Sequence, residues 1–182
     1  MSRGTQTGTL MLLLFAVVLG TASPLLWAQG APLRTAGVRS VKRVRSLQEI
    51  REEKVVRQRW DLSCGSAALS TILTHYLHDD TPESAIVVWL LRRTDPVRVQ
   101  SRGGFSLLDL KRFAQAKGYA AEGYTAMTLQ ELVQRNAPAI LPIRRKGYDH
   151  FVVFRGVAGD RVLLSDPAFG NLAVSQHDFI RS

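Results

Sequence analysis

Gln58-Arg59-Trp60-Asp61-Leu62-Ser63-Cys64-Gly65-Ser66-Ala67-Ala68-Leu69 places the one cysteine of a 182-residue chain where a helix begins. Ser63 or Asp61 can cap the first amides, and Ala68, Leu69, Ile72, Leu73, Tyr76 and Leu77 recur at helical spacing up to about His78. Cys64 then lies in the first turn, where the positive end of the helix dipole favours a thiolate. Gly65 beside it leaves room for a substrate backbone. Taken alone the cysteine supports two readings, a nucleophile or a small buried hydrophobe.

Downstream, Thr81-Pro82 opens a second helix that runs to about Arg93, with Ile86, Leu90 and Trp89 turned inward. Asp95-Pro96 ends it, and the segment through Gly103-Gly104 reads as a loop. Ser106 and Asp109 form a capping box for a third helix with core positions Leu107, Leu110, Phe113 and Ala114 and a stop at Gly118. Ala120 to Tyr124 reads as a short strand. Thr128-Leu129-Gln130-Glu131 caps a further helix that ends near Asn136.

From Pro138 the period shortens. Ala139 to Ile143 is a compact apolar run whose Pro142 suits an edge strand. His150 to Val157 and Arg161 to Ser165 are rich in β-branched and aromatic residues and flank Ala158-Gly159-Asp160, a hairpin signal. Leu172 to Val174 adds a third strand, and a last helix opens at Ser175-Gln176-His177-Asp178 and is cut short at Ser182. Helices first and an antiparallel sheet afterwards define an α+β domain.

The hairpin supplies what a cysteine nucleophile needs, a base and a group that orients the base. With the turn centred near Ala158, His150 and Asp166 are directly opposed and share one face of the sheet. A slip of one residue would separate them. Asp149, the rival carboxylate, points to the other face. Gln58 offers a side-chain amide to an oxyanion, with the Cys64 backbone amide as a second donor. Each has a plainer reading: a core or surface histidine, a turn-starting aspartate, a polar strand end. His75 and His78 are spaced as a metal pair, but no further ligands join them, so neither zinc nor any cofactor is expected.

Upstream, residues 1–30 read as a signal peptide: Arg3 gives a positive start, Leu10 to Gly20 is apolar, and small residues follow. The run is short for a membrane span, so no integral span is expected after cleavage. Export implies a periplasmic or secreted protein. Residues 31–54 read as a basic linker, and the domain occupies 55–182. The net charge of +9 is uneven: residues 34–57 hold eight basic and three acidic side chains, the body from Gln58 onward fifteen and twelve. A body so nearly balanced is no nucleic-acid footprint.

Gln58, the run Cys64-Gly65-Ser66-Ala67-Ala68-Leu69, His150-Phe151-Val152-Val153 and Asp166-Pro167 together resemble the papain-like cysteine peptidases that remove double-glycine leader peptides. The resemblance implies a papain-like fold with N-terminal helices on a C-terminal sheet. It implies Cys64 as nucleophile, His150 as general base and acid, Asp166 as orienter and Gln58 as oxyanion donor, with cleavage after Gly-Gly. A stand-alone member behind a signal peptide is similar to those that accompany functional-amyloid or pilus secretion. The expected partner is therefore a peptide or protein substrate, such as a glycine-rich leader or fibre subunit, or a secretion-system component. Two other readings use the same residues: a non-catalytic peptide-binding domain assisting secretion, and a different thiol acyl-transfer enzyme.

Overall fold

The computed structural model describes residues 30–35, 38–145 and 147–182. The expected signal peptide lies outside them but for Gly30. Two compact units divide the chain, one up to Val44 and one from Arg45 to Ser182. In the first, β1 (Gly30–Thr35) pairs antiparallel with β2 (Val38–Arg43). The segment expected as a linker thus contains a hairpin and, in the second unit, a helix. That helix, α1 (Leu47–Glu52), is closed by a reciprocal capping box between Ser46 and Glu49. The second compact unit, from Arg45, contains all of the residues 55–182 expected as the domain. Among the described residues no helix is long and apolar enough to cross a membrane.

In the second unit, α2 (Cys64–Tyr76), α3 (Glu83–Leu91), α4 (Pro96–Arg102) and α5 (Leu107–Ala116) enclose a core of Leu69, Leu73, Ile86, Leu90, Val99, Phe105, Leu110 and Phe113. Ile86 and Leu90 are buried as expected, and Trp89 stacks edge-on against Phe113. Leu107, expected as a core position, is exposed, and so is Leu77 of the periodic apolar set. Leu77 follows the last turn of α2, and Leu107 opens the first turn of α5, where the helix has not yet reached the core.

Helix α4 replaces the loop expected after Asp95-Pro96. The Asp95 carboxylate accepts from the Val97 amide, Pro96 takes the first turn, and Gly103 closes the end in the left-handed region. The same dipeptide that stops one helix starts the next, because proline lacks only an amide that a first turn leaves unpaired anyway. Ala120 to Tyr124 forms no strand.

After α6 (Leu129–Gln134) a four-stranded antiparallel sheet runs in the order β3 (Ala139–Arg145), β4 (Tyr148–Ala158), β5 (Arg161–Asp166) and β6 (Gly170–Ser175), followed by α7 (Gln176–Ile180). Pro142 lies on an edge strand, the place in a sheet where a residue without an amide donor is accommodated. Val152, Phe154, Val162 and Leu164 make a second core with Leu132 of α6.

Helix α2 also packs on β4. Gly65 allows this approach: a Cβ there would stand 3.0 Å from Leu110 and 3.2 Å from Phe151. Its small size thus serves the packing of α2 against α5 and β4.

Candidate active site

The chain brings Cys64 to the start of α2 with Ser63 at the N-cap position. Neither expected cap operates. The Ser63 side chain leaves the helix amides alone, lying 2.7 Å from Trp60 O and 2.5 Å from Glu83 Oε1, and Asp61 is exposed. The amides of the first turn therefore remain available toward the cysteine end.

His150 comes from β4 and Asp166 from the end of β5, and their pairing rests on a bulge. Near the turn Ala158 pairs with Arg161 and Gly156 with Leu163. Arg155 is then skipped, so that Phe154 pairs with Leu164 and Val153 with Ser165. Without the extra residue Asp166 would fall level with Val153, on the face opposite His150. With it Asp166 falls level with Val152, and His150 is the diagonal neighbour on the same face. The two residues are therefore diagonal and not directly opposed as the sequence suggested, because the turn is centred on Gly159-Asp160. The contact is nonetheless close: His150 Nε2 donates to Asp166 Oδ1 at 2.8 Å.

Asp166 is fully buried, and the same oxygen accepts from the amides of Ala168 at 2.8 Å and Phe169 at 3.1 Å. The aspartate both starts its turn and faces the imidazole. With Nε2 committed to Asp166, Nδ1 is the nitrogen left for the Cys64 thiol, to which His150 is hydrogen-bonded. Burial pushes the Cys64 thiol up, but the His150 imidazole and the Phe151 and Gly65 amides outweigh it and bring the thiol below its ordinary value. Burial likewise pulls His150 down, yet Asp166 and then Cys64 prevail and raise it to about 9. Opposite movements in two hydrogen-bonded groups favour a thiolate–imidazolium pair at neutral pH.

Gln58 stands at the opening of the loop that leads to Cys64. Its backbone amide donates to Pro167 O at 3.0 Å, tying it to the Asp166 turn. Its side-chain Nε2 donates to Trp60 O at 3.1 Å, which leaves a second N–H on the same nitrogen. Arg57, which the sequence did not single out, donates from Nε to Pro167 O at 3.1 Å and from its terminal nitrogen to Ala168 O. Asp149 is exposed and lies toward Arg144, away from the imidazole. His78 follows the end of α2 with φ +56°, and His75 is on the helix. Among the described residues no cluster could hold a metal ion.

A helix-borne thiol, a strand-borne imidazole and a buried carboxylate on a papain-like scaffold define a thiol-peptidase domain. The chain belongs to the peptidase C39 family, whose sequence pattern matches residues 52–182. It is 37% identical over 152 residues to the "Probable functional amyloid protease FapD" of Pseudomonas aeruginosa, covering 84% of this chain and 66% of that one. The protein of the same description from Pseudomonas fluorescens is 36% identical over 139 residues, covering 76% and 61%. The chain thus spans just under two-thirds of the length of these curated relatives.

Among solved structures, a double-glycine-motif protease from an AMS/PCAT transporter, in complex with the leader peptide, superposes with a TM-score of 0.58 at 27% identity, covering 70% of this chain and 83% of that one. The peptidase domain of Streptococcus ComA, a bifunctional ABC transporter of a quorum-sensing pathway, shares the fold at a TM-score of 0.56 and 22% identity, covering 69% and 88%.

Proposed function

We propose that this chain is an exported cysteine endopeptidase that cleaves after a Gly-Gly-type site in a secreted peptide or a fibre-system protein. The observation that carries the reading is the chain of contacts from Cys64 through His150 to buried Asp166. The names of the Pseudomonas relatives support an amyloid-system substrate, and the double-glycine neighbour supports the cleavage site. A periplasmic or extracellular location follows from reading residues 1–30 as a signal peptide.

In this mechanism the Cys64 thiolate attacks the peptide carbonyl carbon, and the carbonyl π pair moves to oxygen. The second N–H of Gln58 Nε2 and the Cys64 amide receive that charge, which develops only in the transition state. His150 gives its Nδ1 proton to the leaving amine while Asp166 holds Nε2–H and so fixes the ring. Water then attacks the thioester, His150 takes its proton, and the acid leaves with the thiolate restored.

The test is incubation of the purified protein with a peptide containing one Gly-Gly pair, followed by mass spectrometry. Cleavage after the pair by the wild type and none by Cys64→Ala is expected. An intact peptide with a fully alkylatable Cys64 refutes the peptidase reading.

A further inference from the structure

Glu83 is a carboxylate with no part in the mechanism above, yet it is only 3% exposed and reaches the loop between Gln58 and Cys64. Its two oxygens accept from the Arg59 amide at 3.1 and 3.2 Å, and Oε1 lies 2.5 Å from Ser63 Oγ. We propose that Glu83 is a positioning residue: by drawing the single Ser63 hydroxyl proton to itself, it reserves Trp60 O for the side chain of Gln58. The proposal rests on Gln58 serving as the oxyanion donor of the proposed peptidase.

Trp60 O has three donors within reach and two lone pairs to offer. Gln58 Nε2 lies at 3.1 Å, Ser63 N at 3.1 Å and Ser63 Oγ at 2.7 Å. The Ser63 hydroxyl has one proton for two acceptors, Trp60 O and Glu83 Oε1, while Oγ itself accepts from Trp60 N at 3.2 Å. The Glu83 oxygen is the nearer and, as a carboxylate, the stronger acceptor, so the proton goes there. Ser63 N and Gln58 Nε2 then share Trp60 O without competition. One N–H of Gln58 is anchored, and the geometry of sp² nitrogen fixes the direction of the other. With glutamine at 83, its one oxygen stays with the Arg59 amide and its NH2 faces Ser63 Oγ, so the Ser63 proton turns to Trp60 O and displaces Gln58, whose long side chain moves more readily than the backbone amide of Ser63.

The experiment separates the oxyanion site from the thiolate. A peptide aldehyde ending in glycinal probes the first: the Cys64 sulfur bonds the aldehyde carbon, the π pair moves to oxygen, and that oxygen occupies the oxyanion site. Its affinity is read as protection of Cys64 from alkylation. Iodoacetamide alone probes the second, because displacement of iodide develops no oxyanion. In the full chain, Glu83→Gln is expected to weaken aldehyde capture about tenfold or more, with alkylation rate and its pH dependence within about twofold of wild type. Adding Ser63→Ala to Glu83→Gln removes the competing proton and restores most of the capture.

Wild-type capture by Glu83→Gln overturns the proposal. So does a parallel fall in alkylation, the signature of a merely structural role or of misfolding, and so do losses that multiply in the double variant. Peptide hydrolysis by the wild type is scored separately. Its absence refutes the peptidase reading, whereas aldehyde capture tests Glu83 in either case.

Discussion

Replacing Asp166 by Asn removes one charge and keeps an acceptor oxygen for His150 Nε2–H and for the Ala168 and Phe169 amides. The turn should survive, and the change should fall on the imidazole. Moving His150 from its ordinary value of 6.5 to about 9 corresponds to on the order of 3 kcal/mol in favour of imidazolium, with Asp166 the leading favourable partner. His150 loses its charge as pH rises through that raised value. At pH 8 the wild-type ring is about nine-tenths protonated, and a ring returned to 6.5 only about 3%. The ratio of the two is about thirty, and because Cys64 continues to support the cation in the variant the loss of imidazolium is smaller, about tenfold.

The assay is the rate of Cys64 alkylation by iodoacetate, an anion drawn to the imidazolium, followed across pH. The wild-type profile should rise through the lowered thiol value and fall near 9. In Asp166→Asn the falling limb moves acid-ward, and the rising limb moves alkaline-ward as the thiolate loses its counterion. An unchanged falling limb near 9 in the variant refutes the assignment of Asp166 as the source of the shift.

Three further outcomes are expected. Gln58→Ala should lower kcat for peptide hydrolysis about a hundredfold or more while leaving iodoacetamide alkylation of Cys64 near wild type, as removal of one oxyanion donor does. In Cys64→Ser, Asp166 remains to hold His150 above its unfolded value, so its contribution to stability is full below about 6.5 and is lost as pH rises through the folded value; Tm against pH checks the sign. Gly170→Ala should destabilise by about 1–3 kcal/mol in urea unfolding, because Gly170 has φ +80° and a Cβ there would stand 2.5 Å from Arg51 O of α1.

The elements that sequence made plain are those whose signals are local. The strands around Gly159-Asp160 announce themselves through β-branched residues, and α5 and α6 through Ser106–Asp109 and Thr128–Glu131 capping boxes that the structure realises. The Ser46–Glu49 box of α1 was equally present but sits inside a run of charge, and none of the α1 residues is buried. Its place depends on Asn171, whose side chain donates to Ile50 O and Glu53 O more than a hundred residues away in the chain. The diagonal approach of His150 and Asp166 depends on a skipped residue at Arg155, for which the adjacent Gly156 is a weak sign. Glu83 carried no signal at all. Its partners are a backbone amide and a hydroxyl in a loop 20 or more residues earlier, contacts that leave no pattern of side-chain types.

The site also explains why the segment before the cysteine has to be ordered. Cys64 belongs to the helices, while His150 and Asp166 belong to the sheet, so their geometry depends on how the two layers are joined. Residues 56–58 make that join within one short stretch. The Val56 amide donates to Thr71 Oγ1 of α2 at 3.0 Å, and the Gln58 amide and the Arg57 guanidinium grip Pro167 O beside Asp166. The extended segment that carries Gln58, the proposed oxyanion donor, is therefore bonded at one end to the helix of Cys64 and at the other to the turn of Asp166. Slackening at this join would loosen the thiol–imidazole contact and the oxyanion donor together. A coupled loss of that kind, in Arg57→Ala, would distinguish the join from Gln58 acting alone, where only the oxyanion readout falls.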